Sequence, residues 1–143
     1  MANIIQFAFR GELFSGTHNF ASGGDSFKIA LYTSIAAFST ASTTYITTNE
    51  VSSGGGSGYT TTGQVLGSQA VASGTAVASV DFADSSIASA TFSAAGAAIY
   101  NDDKSDKLCV VLDFGGTKTA TNGTFTIAFP DPSTPANAII SMS

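Results

Sequence analysis

From Ser26 onward the apolar residues recur with a period of two. FKIALYT sets Phe27, Ile29 and Leu31 against Lys28, Ala30 and Tyr32. TAVASVDF alternates less cleanly, and IASATFSA, GAAIYND, KLCVVLDF, GTFTIAF and NAIISMS follow, each bounded by Gly, Asn, Asp, Pro or Ser. Short runs at this spacing predict an all-β fold of roughly eight strands, an antiparallel β-sandwich with a jelly roll among its arrangements. Upstream the period changes. Ile4, Phe7, Ala8, Gly11 and Phe14 fall on one face of a helix that Asn3 caps, within Asn3 to Phe20, and Gly16 is its stop. The expected organisation is an N-terminal arm or short helix with its loop over 1–25, then a single sandwich domain over 26–143.

Turn chemistry supports this division. Asp102, Asp103, Lys104 and Ser105 read as a hairpin loop, Asn122-Gly123 as a position of positive φ before GTFTIAF, and FPDPSTPAN as a connection, because proline cannot donate to a ladder. Residues 51 to 80 carry no charge. Edge strands are ordinarily guarded by Lys, Pro or shortness. That tract is therefore expected either inside a sheet or under a partner, and the second possibility favours a subunit of an assembly.

Composition narrows the chemistry. Ala, Gly, Ser and Thr make up 75 of 143 residues, but 11 Phe, four Tyr and a mean hydropathy of +0.25 argue for a packed core over disorder. The net charge is -5, and the four lysines and single arginine form no cluster, so no nucleic-acid partner is expected. No apolar run reaches the ~18 residues of a membrane span, and MANIIQFAFRGELF does not read as a secretory signal; no membrane association is expected. Cys109, in KLCVVLDF, reads as a buried structural thiol. His18 reads as a surface loop residue or a partner contact. One Cys and one His supply no usual zinc site, so no metal and no cofactor are expected.

The search for catalysis finds no constellation. SSGGGSGY lacks the lysine and the following helix of a phosphate loop. Asp102, Asp103 and Asp106 do not have the spacing of a calcium loop and read as a solvated hairpin tip. Asp81 and Asp84 resemble a carboxylate pair for glycoside hydrolysis but fit turn and capping roles better. Tyr45 and Tyr59 bracket the glycine tract, with Tyr32 and Tyr100 in strands. Together they are either a sugar-stacking patch or, as strand aromatics more often are, core. No enzyme is expected.

Several stretches resemble a group of small virion proteins of tailed phages: GELFSGTHNF at 11–20, FKIALYTS at 27–34, TTYITTNEVSSGGGSGYTTTGQVL at 43–66, GAAIYN at 96–101 and VVLDFGG at 110–116, in the same order. The resemblance implies a phage structural protein, similar to head decoration or cement proteins of phages that infect aquatic bacteria. It implies binding to the major capsid protein on the outer surface of the head, alongside further copies of the chain as an oligomer, with a trimer favoured. The alternative is a tail or fibre module that binds a host surface glycan. The candidate partner contacts are Ile4, Ile5, Phe7 and Phe9 on the N-terminal segment, and Glu50 and Tyr59 around the glycine tract. On this reading Asn49-Glu50-Val51 turns the chain, the glycines let it run close to a neighbouring backbone, and Tyr59 starts the next strand.

Overall fold

The computed structural model describes residues 2–130 and 138–142. It is all-β and antiparallel, with one short helix. In chain order the elements are β1 (Ile4–Ile5), α1 (Phe7–Phe14), β2 (Phe27–Tyr32), β3 (Gln64–Val65), β4 (Ala70–Ser73), β5 (Ala78–Asp81), β6 (Ser85–Asn101), a 3-10 turn (Asp102–Lys104), β7 (Lys107–Ile127) and β8 (Ile140–Met142). Five strands form one sheet in the order β1-β7-β6-β2-β3, and three form a second in the order β4-β5-β8. The two face each other as an open, sandwich-like pair. The division is five and three, unlike the two Greek keys of a jelly roll.

Around β2 the larger sheet is buried on both faces, which explains why FKIALY carries so little polar alternation. Ile29, Leu31, Ile87, Ala97 and Ile99 point into one cluster, shared with Phe82 and Ile140 from the side of the smaller sheet. Ala30, Tyr32, Ala98 and Tyr100 point into the other, roofed by Ile35 and Phe38 from the excursion between β2 and β3. Gly96 sits where this roof comes closest, since a Cβ there would lie 2.5 Å from Ile35 Cγ2 and 2.4 Å from the Leu112 carbonyl oxygen.

Two expected boundaries differ. IASATFSA and GAAIYND are one strand, β6, and KLCVVLDF and GTFTIAF are one strand, β7. The Asn122-Gly123 signal, expected before a new strand, and Gly115-Gly116 are bulges in a long twisted ladder, with Asn122 at φ 48° and Gly115 at 68°. The 102–106 tip is a hairpin loop, closed by Ser105 and Asp106 at positive φ. Of the connection FPDPSTPAN, residues 131–137 lie outside the described residues.

The N-terminal helix is shorter than its sequence face suggests, and turned. Ile4 and Ile5 pair with Val111 and Val110 as a strand instead of starting the helix, and Asn3 accepts the Asp113 amide rather than capping. Gln6 is extended, and the first helical amide, that of Phe7, is satisfied by the Thr40 carbonyl. Gly16, at φ 69°, ends the helix, with the Thr17 amide returning to the Glu12 carbonyl. Phe9 turns inward and Phe7 and Phe14 turn out, at 62% and 91% exposed. An aromatic cluster sets this rotation. Phe9 meets Phe20 edge-on at 6.0 Å, Phe20 stacks on Phe27 at 4.2 Å, and Phe27 packs on Phe82 at 5.8 Å. Residues 4–20 are thus built into the sandwich core and are no separate arm.

The uncharged tract contributes two edges and most of one central strand, β5, which lies between β4 and β8. β3 is the edge of the larger sheet and β4 an edge of the smaller. Between Val51 and Gln64 the chain lies along β6 and β2 of its own molecule. The Thr91 amide donates to the Ser57 carbonyl, and Gly58 presses on the carbonyls of Ala88 and Ser89. Gly63 lies so close to β2 that a Cβ would sit 2.1 Å from the Ile29 oxygen. The neighbour that Gly58 and Gly63 approach is this chain's own backbone, whereas Gly55 and Gly56 have open space around them. Asn49, at φ 64°, does turn the chain, but Tyr59 starts no strand; the next one begins at Gln64.

Candidate functional site

Two polar seams and a set of open strand edges are the features with chemical potential. The first seam centres on Glu50. Its Oε1 accepts the Tyr59 hydroxyl at 2.7 Å and the Thr62 amide at 2.7 Å, and its Oε2 accepts the Tyr45 hydroxyl at 2.5 Å. Tyr59 in turn accepts the Leu31 amide at 3.0 Å from β2. Tyr45 stacks on Tyr100 at 4.8 Å, Tyr100 donates to the Thr62 carbonyl, and Tyr32 donates to the Ile46 carbonyl. Burial raises the pKa of the Tyr59 and Tyr45 hydroxyls, and the adjacent Glu50 carboxylate adds to it, so both stay protonated donors. One carboxylate thereby ties the 33–63 excursion to the sheet.

The second seam links α1 to the 102–107 hairpin. Asn101 Nδ2 donates to His18 Nδ1 at 3.0 Å and to Asp25 Oδ2 at 2.9 Å, and its Oδ1 accepts the Asp103 amide. With Nδ1 accepting, His18 Nε2 is the donor to Glu12 Oε2 at 2.9 Å. Lys107 pairs with the other Glu12 oxygen and Lys104 with Asp25. Burial alone would raise the Glu12 pKa, but hydrogen bonds from Lys107 and His18 outweigh it and hold the carboxyl below its ordinary value. His18 is buried against Phe9 at 5.1 Å, so neither reading of it as a surface loop residue or a partner contact survives.

The six candidate contact residues separate. Phe7 is exposed with the Arg10 guanidinium 5.4 Å over its ring. Ile4 and Ile5 are half-buried in β1. Phe9 and Tyr59 lie in the core, and Glu50 is half-buried with both oxygens engaged by its own chain. Those three are corrected from contacts to internal supports, because the aromatic cluster and the tyrosine seam claim their surfaces first. The tyrosines make no sugar-stacking face, since Tyr32, Tyr59 and Tyr100 are buried.

The remaining chemistry is structural. Asp84 Oδ1 caps the Phe129 amide, Asp103 Oδ2 accepts the Ser26 amide, and Asp102 pairs with Lys28. Burial pushes the Cys109 thiol well above its ordinary pKa. Among the described residues no three His, Cys, Asp or Glu side chains are grouped to hold a metal, and no helix is long and apolar enough to cross a membrane.

What remains open is strand edge. β4 carries Val71 at 54% exposed, β8 carries Met142 at 55% and β3 carries Val65 at 63%, all without a charged residue in the strand. Along β7, the pairing with β1 covers only Val110 and Val111. Sequence reasoning flagged the uncharged tract but missed the β7 edge, because its bulges read as turns. No family model, no curated protein and no solved structure matches the chain.

Proposed function

We propose that the chain is a structural virion protein of a tailed phage, a head decoration or cement protein that binds the major capsid protein on the outer surface of the head and stabilises contacts between capsid subunits. The phage assignment rests on the resemblance of the stretches between residues 11 and 116. The observation that carries the assembly reading is the placement of the uncharged 51–80 tract. It supplies β3 and β4 at sheet edges, with Val65 and Val71 exposed and no Lys or Pro to guard them. Such edges suit a subunit whose neighbours cover them. No residue cluster among those described calls for an enzymatic role. Mechanistically, a cement protein adds buried area across capsomer boundaries. Interfaces of about 1,600 Å² repeated at symmetric sites resist the outward push of packed DNA, and a ring of copies, a trimer in this proposal, matches such sites. The rival glycan-binding tail module loses its aromatic platform to burial.

Cryo-EM of the intact virion at side-chain resolution tests the proposal. Density for this chain on the outer shell, bridging capsomers, is the expected result, and density confined to the tail refutes it. A Val71→Lys variant, which guards the β4 edge, is expected to bind capsids less well while keeping its fold.

A further inference from the structure

Among the described residues the longest strand edge without a neighbouring strand belongs to β7. On the other side of this long hairpin, segment 57–64 lies along β6, with the Ser57 carbonyl accepting from the Thr91 amide and Gln64 Oε1 from the Ser85 hydroxyl. On the β7 side, beyond Val111, the outer backbone groups meet no strand among the described residues. From Lys118 to Ile127 this edge borders a groove of about 660 Å³, floored by Phe114, Phe125, Ile127, Phe129 and Ile139. Along 124–129 burial alternates: Phe125 and Ile127 are buried and Phe129 is half-buried, while Thr124, Thr126 and Ala128 are exposed, and all six line the groove.

The charge on this edge is specific. Lys28, Lys104 and Lys107 each pair with a carboxylate. Lys118, exposed on the groove rim, is the one lysine without an acidic partner among the described residues. Strand-edge backbone that meets no strand among the described residues is matched by another extended chain, and a lysine without an acidic partner among those residues selects for a carboxylate opposite it.

We propose that the outer edge of β7 from Lys118 to Ile127 is a strand-addition site for an extended segment of another protein, one that lays alternate apolar side chains into the Phe114–Phe125–Phe129 groove and sets an Asp or Glu against Lys118. The site does not depend on the virion reading. It would serve any partner that offers such a segment.

The test uses the full chain and a displayed library of random peptides about ten residues long, which span the edge at ~3.3 Å per residue. Enriched peptides are expected to alternate apolar residues around an acid. In NMR they are expected to shift the resonances of 118–127 and slow exchange of the outward amides there. Lys118→Glu is expected to weaken them about tenfold and to favour peptides carrying Lys instead. No enrichment over an unrelated protein overturns the proposal and leaves Lys118 as an edge guard. Shifts that map elsewhere overturn it too. Protection of the same amides in the dilute free protein means the edge is already covered within the chain, and protection that grows with protein concentration alone means that a second copy is the occupant. Either result refutes it.

Discussion

Replacing Glu50 is the sharpest probe of how this fold is held together. Glu50→Ala removes the acceptor for three donors at once: the Tyr59 hydroxyl, the Tyr45 hydroxyl and the Thr62 amide. They will not suffer equally. Tyr59 is 3% exposed, so its hydroxyl has no route to water and bears the full cost of an unmade hydrogen bond, roughly 2–3 kcal/mol. Tyr45 is half-buried and bears about half of that, while Thr62 is exposed and its amide can turn to solvent. The sum is about 3–5 kcal/mol, a large part of the ~5–15 kcal/mol that holds a domain together.

Glu50→Gln separates charge from connectivity. Its retained oxygen still accepts from Tyr59 and Thr62, and the new amide can donate to the Tyr45 oxygen, so only the charge assistance is lost, about 1–1.5 kcal/mol. The assay is urea unfolding followed by tyrosine fluorescence, with an unchanged slope required so that the midpoint shift reports stability. A double-mutant cycle of Glu50→Ala with Tyr59→Phe is expected to yield a coupling of about 1–2 kcal/mol. If Glu50→Ala costs less than ~1 kcal/mol, or if the Gln and Ala variants are equally unstable, the carboxylate does not tie the excursion to the sheet and the reasoning fails.

Three further outcomes follow from the same structure. Gly63→Ala combines φ +79° with a Cβ 2.1 Å from the Ile29 oxygen and is expected to cost about 3 kcal/mol or more, against about 1 kcal/mol for Gly55→Ala, which has φ +67° and open space; equal midpoints in urea would contradict the close approach to β2. Gln6 is fully buried, with neither amide atom partnered among the described residues, so Gln6→Met is expected to raise stability by about 1–3 kcal/mol in thermal unfolding, and a loss would mean that the amide is paired. The folded-state pKa values of Glu12 and Asp25 are lowered from 4.5 and 3.8, so their contribution is complete above those values and disappears as pH falls through the lower folded ones; a Glu12→Gln variant should flatten the acid side of the stability–pH curve, and an unchanged curve would refute the seam's role.

The β character and the 102–106 tip were legible in the sequence because both depend on local signals: short apolar runs between turn residues. The tyrosine seam was half legible. YITTNEVSSGGGSGY places one acid between two tyrosines five and nine residues away, and those are its hydrogen-bond partners. Other features were hidden because long-range partners decide them. Ile4 and Ile5 are strand only because Val110 and Val111 offer an edge. The inward turn of Phe9 is set by Phe20, Phe27 and Phe82, which outweigh the periodicity of a helix of barely two turns. His18 reads as a loop residue until Asn101, 83 positions on, comes to meet it. Gly115-Gly116 and Asn122-Gly123 carry the same chemistry in a bulge as in a turn, so sequence alone cannot say whether the strand continues through them.

The distribution of charge links these seams to the edges. A chain with only 10% charged residues has few to place, and this one ties most of them to partners of its own. Glu12, Asp25, Lys104 and Lys107 fasten the helix and its loop to the hairpin, Lys28 and Asp102 fasten β2 to its tip, and Glu50 fastens the excursion. That arrangement leaves β3, β4 and β8 without a charge of their own. These three rims present backbone, small polar and apolar side chains. Such a rim cannot be recognised by the field of a charged partner and resists no neighbouring strand by repulsion. It selects by shape and by the spacing of backbone hydrogen-bonding groups. That is the selectivity needed by a part whose neighbours are held at fixed positions in a lattice, and a weak basis for a freely diffusing protein that must find its target by charge.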